Sequence, residues 1–326
     1  MFCKVKASYF FKKYLYCKLC PRRCRKNRFF EKGYCGETAH LRVAYVGPHF
    51  GEEPPISGRN GSGTVFLVGC SLKCSFCQNW QISHKGIGRK LKIKELVEKI
   101  DRMINEYQVH NVNFVTPDHF IPHIIQVIEQ IKANWPAIPI VFNVSGYQDV
   151  GILKEIEEYV DIYLPDFKYS DKKLATKLSS CPDYPSVALD AISEMIRQKG
   201  FLDIDSPVAK KGVIVRHLIL PGHIDNSINA LSMLYVEFGK ELPLSLMSQY
   251  TPVLKQKEQE LNRQLKKEEF LRVYQHMLDL GFKNVFVQFP EEVENESAFV
   301  PDFTSSQPFK GNLKRLKKGF DTKQLL

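Results

Sequence analysis

Residues 63–83 read GTVFLVGCSLKCSFCQNWQIS, and the rest of the chain is best read outward from them. The stretch opens with a β-branched, apolar run, Thr64–Val68, and passes into a loop carrying Cys70, Cys74 and Cys77, with Phe76 just ahead of the last thiol. Three thiolates spaced C-x3-C-x2-C can hold three irons of a cubane cluster. No fourth cysteine stands nearby, so one iron would stay open to an outside ligand, as one position does in a catalytic metal site. A structural zinc site would instead close with a fourth Cys or His, and His84 is the nearest candidate.

After this loop, short β-branched runs alternate with longer segments of helical period. The expected strands are Thr64–Val68, Val112–Thr116, Ile138–Val144, Ile162–Leu164, Val213–Leu220, Leu244–Met247 and Asn284–Gln288. Between them lie KIKELVEKIDRMINEY, HIIQVIEQIKAN, VGILKEIEEY, SINALSMLYVEFGK and KEEFLRVYQHMLDLG, each with apolar residues three and four apart. Strand–helix alternation predicts parallel strands with right-handed crossovers. The expected fold is therefore α/β, a partial (β/α)6 TIM-like barrel with a Cys-rich N-terminal extension, and a doubly wound open sheet is its rival. The segmentation reads as a Cys-rich basic segment at 1–40, a Gly/Pro-rich loop at 41–62, the barrel at 63–303 and a basic, flexible tail at 304–326.

The cluster loop, with its aromatic before the third Cys and its place after the first barrel strand, resembles the radical SAM superfamily. Within that superfamily the chain resembles the pyruvate formate-lyase activating enzymes, which activate glycyl-radical enzymes. The likeness covers about residues 15–303 and rests on CKLCPRRC with GYCG, HFGEEPPISG, VGCSLKCSFCQNWQIS, VTPDHF, NVSGY, LPDFKYS, VRHLILPGH and FVPDF. It implies a [4Fe-4S] cluster on Cys70, Cys74 and Cys77, with S-adenosylmethionine (SAM) on the free iron. It further implies reductive cleavage of SAM to a 5′-deoxyadenosyl radical that abstracts hydrogen from a substrate. The chemistry belongs to the cofactor; the protein supplies placement and exclusion of water.

The same resemblance marks the cofactor pocket. Asn143, with Ser145 and Gly146 after the third strand, resembles a SAM-contacting turn. Asp166 and Lys168, two apart after the fourth strand, share one face and resemble residues near the SAM carboxylate or an associated cation. Arg216 resembles an arginine that meets the same carboxylate, which a guanidinium can grip bidentately. The family's glycine-rich acidic motif after the second strand is replaced here by Thr116-Pro117-Asp118. His49, His119 and His217 are read as hydrogen-bonding groups rather than ligands.

A second group, Cys17, Cys20, Cys24 and Cys35, has four thiols and could close a site around zinc or a second Fe–S cluster. Nine cysteines, an odd number without an export signal, argue against a disulfide framework and for a cytoplasmic location. The chain has 326 residues, 44% hydrophobic and 25% charged, which excludes a disordered or multi-span membrane protein. Its formal charge of +10 resides at the ends. Residues 1–28 carry ten Lys/Arg and no acid, and 310–326 carry six basic residues and Asp321, leaving 29–309 mildly acidic. Basic ends of this kind are ordinarily solvated arms, so neither nucleic acid nor membrane is expected as a partner. The expected partners are a glycyl-radical-type protein and a one-electron donor such as flavodoxin or ferredoxin, with the Gly/Pro-rich 47–63 segment offering a groove for the substrate loop. Two alternatives stand: radical SAM modification of another protein or RNA, and a zinc-bearing, non-catalytic adaptor.

Overall fold

The computed structural model of the protein describes residues 9–290 and 300–309. The chain enters its sheet through β1 (Arg42–His49), which pairs antiparallel with β2 (Ser62–Leu67) and carries β3 (Arg89–Lys90) on its outer edge. From β2 onward the pairings are parallel, through β4 (Val112–Val115), β5 (Ile140–Val144), β6 (Ile162–Pro165) and β7 (Gly212–Val213). A second parallel run holds β8 (Val215–Leu218), β9 (Leu244–Met247) and β10 (Val285–Val287). β7 and β8 are one run interrupted at Ile214, and a bridge between Asp166 and Arg216 carries the wall across the break. Strand order thus follows chain order with no reversal, which is a barrel wall and not a doubly wound sheet. The expected strands are all present.

The connections carry α1 (Pro54–Ser57), α2 (Trp80–Ser83), α3 (Ile93–Tyr107), α4 (Ile121–Asn134), α5 (Val150–Glu155), α6 (Lys172–Ser179), α7 (Tyr184–Lys199), α8 (Ile224–Phe238) and α9 (Lys267–Leu280). None is long and apolar enough to cross a membrane. Along each strand the side chains alternate. Val65, Phe114, Phe142, Tyr163, Val215 and Leu246 join the main core shared with the helices. Val141, Ile162, Leu164 and Ile214 form a smaller, fully buried cluster on the opposite face, inside the barrel. One step further along those inward rows come Asn143, Asp166 and Arg216. The two-residue period therefore fixes which polar groups meet at the C-terminal ends of the strands.

Two expectations need correction. The 41–62 segment is not a loop throughout, since β1 occupies most of its first half. Gly47 and Pro48 disguise the strand, and among the described residues only Arg42 and Val43 pair with β3. Nor does 47–63 stand open along its length: His49, Phe50, Gly51 and Glu52 line the cavity at the strand ends, and the rest is drawn under the barrel. α1 pushes Ile56 into the inner apolar cluster, where it is fully buried, and the barrel is plugged from below. Asn111 Nδ2 donates to Ile56 O at 2.8 Å and Ala209 N to Pro55 O at 2.8 Å, which pins the plug on both sides. The α6–α7 pair also exceeds the expected helices. Pro185 reads as a breaker but sits in the first turn of α7, where proline is tolerated.

At the other end of the chain, Phe303 and Phe309 pack with Phe66 of β2, their ring centroids each 5.3 Å from it. The end of the described chain thus returns to the first barrel strand, and residues 304–309 belong to the folded body rather than to a free tail. Residues 310–326, where the rest of that tail was expected, lie outside the described residues, as does Cys3.

Candidate metal centre and cofactor cavity

A cavity of about 360 Å³ opens at the C-terminal ends of the strands. Cys70, Cys74 and Cys77 line it together with Asn143, Ser145, Asp166, Lys168 and Arg216, so the eight residues singled out for cluster and cofactor converge on one space. The cluster loop turns at Lys73, whose φ of 53° is the left-handed conformation. Leu72 N donates to Cys70 Sγ at 3.3 Å and Ser83 Oγ to Cys77 Sγ at 3.3 Å. Burial, and after it the neighbouring thiols, pushes Cys70 up to about 12 and Cys77 up to about 11. Metal ligation removes those protons, because the thiolate is the ligand. His84 does not line the cavity; its Nδ1 meets Ser83 Oγ at 2.8 Å. The three-thiol set therefore suits a cluster with one open iron better than a closed zinc site.

Opposite the thiols lies a network that joins four walls. Arg216 donates through Nε to Asp166 Oδ1 at 3.1 Å, through Nη1 to Glu52 Oε2 at 3.0 Å and through Nη2 to Asn143 Oδ1 at 2.5 Å. Asn143 returns a bond from Nδ2 to Glu52 Oε1 at 3.1 Å, and Asn113 donates to the same oxygen at 3.0 Å. Lys168 Nζ meets Asp166 Oδ2 at 2.5 Å. Burial works against the ionised carboxyl of Asp166, but Lys168 and then Arg216 outweigh it and hold its pKa below the usual range. Burial likewise opposes the guanidinium of Arg216; Asp166, Glu53 and Glu52 more than compensate and hold it charged. Arg216 and Lys168 face the carboxylates of Asp166 and Glu52, while burial pushes Glu53 toward its neutral form, so the buried charges balance.

Glu52 was not foreseen. It rides on the plug immediately before α1 and comes up beneath the cofactor cavity, its side chain only 5% exposed. The signal available in the sequence was a pair of acids, Glu52-Glu53, leading into the apolar Pro-Pro-Ile of an uncharged turn. Tyr184 was also missed. Its hydroxyl accepts from Lys168 N at 2.9 Å and faces Ser145 O and Asp166 O at 2.8 Å each, tying together the loops after β5 and β6. A side chain at Gly146, whose φ is +80°, would collide with Asp166 O and approach the Tyr184 hydroxyl, so this turn requires glycine. Thr116 takes a φ of 57° and lines the cavity, giving the loop after β4 a left-handed corner without glycine. Asp118 turns away from the cavity to Gln148, at 2.8 Å.

The other predicted thiols gather elsewhere, on the outer side of the cluster loop. Cys17, Cys20 and Cys35 are buried and Cys24 is half-buried. The segment is docked by Arg22, which donates to Ser71 O at 3.0 Å and Ser179 O at 2.7 Å, and by Cys70 N, which donates to Cys35 O at 3.2 Å.

A parallel α/β barrel with an open three-thiol site at its C-terminal rim defines a class of cluster-dependent barrel proteins. The particular family follows from comparison. Residues 64–233 match the family model described as the radical SAM superfamily, and the chain belongs to that superfamily. It is also 30% identical over 262 residues to the uncharacterized protein MJ0674 of Methanocaldococcus jannaschii, covering 78% of this chain and 71% of that one. Among solved structures, a spore photoproduct lyase mutant matches with a TM-score of 0.48 at 14% identity, over 74% of this chain and 81% of that chain. Methylornithine synthase matches with a TM-score of 0.45 at 16% identity, over 78% and 80%. anSMEcpe with bound AdoMet matches with a TM-score of 0.45 at 16% identity; the alignment covers 70% of this chain and 56% of that longer one.

Proposed function

We propose that the chain is a radical SAM enzyme that works on a [4Fe-4S] cluster held by Cys70, Cys74 and Cys77, and that its substrate is a glycine Cα in a glycyl-radical-type partner protein. The observation that carries the reading is the convergence of three thiols, without a fourth ligand, on the cavity that also holds Asn143, Ser145, Asp166, Lys168 and Arg216. With cluster and SAM bound, a one-electron donor such as flavodoxin or ferredoxin drives cleavage of the sulfonium–ribose bond to a 5′-deoxyadenosyl radical.

The chain's own residues place and shield that chemistry. Lys168 lies within electrostatic reach of Cys77 and favours its ionised form. Arg216 holds Glu52, Asp166 and Asn143 in one rigid arrangement facing the thiols, so cofactor polar groups meet a preorganised surface rather than mobile side chains. Leu72, Phe76 and Tyr250 on one side and Phe66 and Phe309 on the other give the cavity apolar walls that keep water from a reactive species. The volume supports a large partner over a small one. About 360 Å³ lies at the lower end of the roughly 300–1,000 Å³ that houses one drug-sized ligand. A cofactor of SAM's size fills it, so the hydrogen to be abstracted is brought to the mouth on a loop of something larger.

Anaerobically reconstituted, reduced protein should convert SAM to methionine and 5′-deoxyadenosine, and Cys74→Ala should abolish this, because those three thiolates are the cluster's entire protein ligation. Wild-type turnover by the Cys74→Ala variant would sink the reading. Incubation with candidate glycyl-radical proteins should yield a protein-based radical by electron paramagnetic resonance. SAM cleavage coupled instead to a modified RNA would overturn the substrate assignment alone.

A further inference from the structure

Residues 9–40 form no strand, and the turns that fold them are held by main-chain bonds: Arg25 N to Cys17 O at 2.9 Å, Cys17 N to Lys26 O at 3.1 Å, Arg28 N to Tyr14 O at 2.8 Å and Ala39 N to Arg28 O at 2.7 Å. Arg23 and Arg25 adopt φ of 40° and 57°, a costly choice for non-glycine residues. These turns draw four thiols inward. Cys24 Sγ and Cys35 Sγ both lie within 3.5 Å of the point where a Cβ on Gly33 would stand. Cys17 is close enough to feel the charge of Cys24, and Cys20 that of both Cys17 and Cys35.

Four buried cysteines could serve as small apolar filler. Two independent observations speak against that. The first is how the backbone treats the sulfurs. The amides of Leu19, Arg22 and Glu37, each two residues ahead, act on Cys17, Cys20 and Cys35 in the direction that favours the thiolate. In the loop at 70–77 Leu72 N donates to Cys70 Sγ at 3.3 Å, and the amide of Asn79 acts on Cys77 in the same direction. Amides aimed at sulfur stabilise thiolates and do little for thiols.

The second is Arg28. Its side chain is fully buried, and no carboxylate among the described residues comes within 4.0 Å of it. Glu37, the acid beside it, is engaged by Arg42 at 2.9 Å. The guanidinium donates to carbonyls, Glu37 O at 3.1 Å, His119 O at 2.5 Å and Thr38 O at 2.6 Å, lies between the rings of Tyr14 and Phe120, and is within electrostatic reach of Cys17 and Cys35. A buried cation facing neutral thiols would be uncompensated and expensive. Facing an anionic group at Cys17 and Cys35, it is paired.

We infer that Cys17, Cys20, Cys24 and Cys35 close a second metal centre, a four-thiolate iron–sulfur cubane of net negative charge, with Arg28 as its buried counter-cation. Among the described residues no three ligating side chains stand at single-ion spacing, either here or at Cys70, Cys74 and Cys77. The four thiols fill all its protein positions, so this centre has no open iron. Its binding energy is folding energy for the segment, added to the packing of Phe10, Tyr14 and Leu19 in the main core.

The test removes the first cluster and looks for the second. Full-length protein carrying Cys70→Ala, Cys74→Ala and Cys77→Ala, reconstituted anaerobically, should still hold about four iron and four sulfide per chain and give a reduced-cluster paramagnetic signal. In the otherwise native chain, Cys20→Ala with Cys24→Ala should lose that iron, yet keep SAM cleavage. Arg28→Gln should leave the iron count of the triple variant intact and lower the cluster's midpoint potential, because a nearby positive charge no longer favours the reduced form. Absence of iron from a folded triple variant with four alkylatable thiols at 17, 20, 24 and 35 overturns the site. Zinc in place of iron overturns the cubane. Loss of SAM cleavage by the native chain, with iron still on the triple variant, would leave this centre standing while removing the proposed function.

Discussion

At the scale of single residues, Arg216 does more than a cofactor ligand would. Its three nitrogens are engaged by Asp166, Glu52 and Asn143, so Arg216→Ala strands two buried carboxylates as well as emptying a pocket. The variant should lose roughly 3–5 kcal/mol of stability in denaturant unfolding. Its SAM affinity should fall about ten- to a hundredfold, with the cluster's absorption preserved. Weaker binding with unchanged stability would show that the network is not what Arg216 holds together. The neighbouring His217 makes a pH prediction. Fully buried, it meets Phe167 O at 2.6 Å through Nδ1 and Ser227 Oγ at 2.9 Å through Nε2, and burial pushes its pKa down to about 4. The folded state therefore favours the neutral ring. Its contribution is complete above about pH 6.5 and is lost as pH falls toward 4, on the order of 3 kcal/mol in all. His217→Gln should flatten that part of the stability–pH curve measured between pH 7 and 4.5; equal slopes for both proteins would refute the assignment. Asn143, Asp166, Lys168 and Arg216 were singled out through the family resemblance, and the two-residue alternation of the strands brings them to one cavity. Glu52 was not, because nothing local to a Gly/Pro-rich turn says that its hydrogen-bond partners will be Asn113, Asn143 and Arg216, from 61 to 164 positions away.

At the scale of elements, period and punctuation account for both success and failure. The parallel strands were readable because buried parallel strands are continuous apolar runs. β1 was obscured by Gly47-Pro48, and α7 by Pro185 and by a buried face made partly of small residues, Ala188 and Ala191. The plug was not readable at all, since a four-residue helix has too little pattern to register. Its worth can be measured. Ile56→Ala removes a fully buried side chain from the cluster of Val141, Ile162, Leu164 and Ile214 and should cost about 2–5 kcal/mol. Because Glu52 stands on the same turn, SAM binding should weaken in parallel with stability. A destabilised variant with native SAM affinity would show that the plug and the cavity are independent.

At the scale of the whole molecule, the cysteine-rich segment and the barrel are two bodies of different construction held in register. The barrel supplies most of the apolar core, which Phe10, Tyr14 and Leu19 of the segment join, and Arg22, Arg28 and the Cys35–Cys70 main-chain bond dock the rest of the segment. Limited proteolysis of the Cys20→Ala, Cys24→Ala protein should cut first near residue 25 and leave the barrel fragment intact; cleavage distributed evenly along the chain would show that the barrel depends on the segment for its own fold.

The packing of Phe303 and Phe309 against Phe66 also sets a schedule. Cys77 leaves the ribosome roughly 230 residues before Phe309, an interval of roughly 10–50 s at typical rates of synthesis. Throughout it the thiol loop and the flank of the first barrel strand exist without the aromatic side that later walls them in. A bulky iron–sulfur donor protein would have unobstructed access during translation and a narrower approach afterwards, so the moment of birth is the favourable time to load this chain with metal.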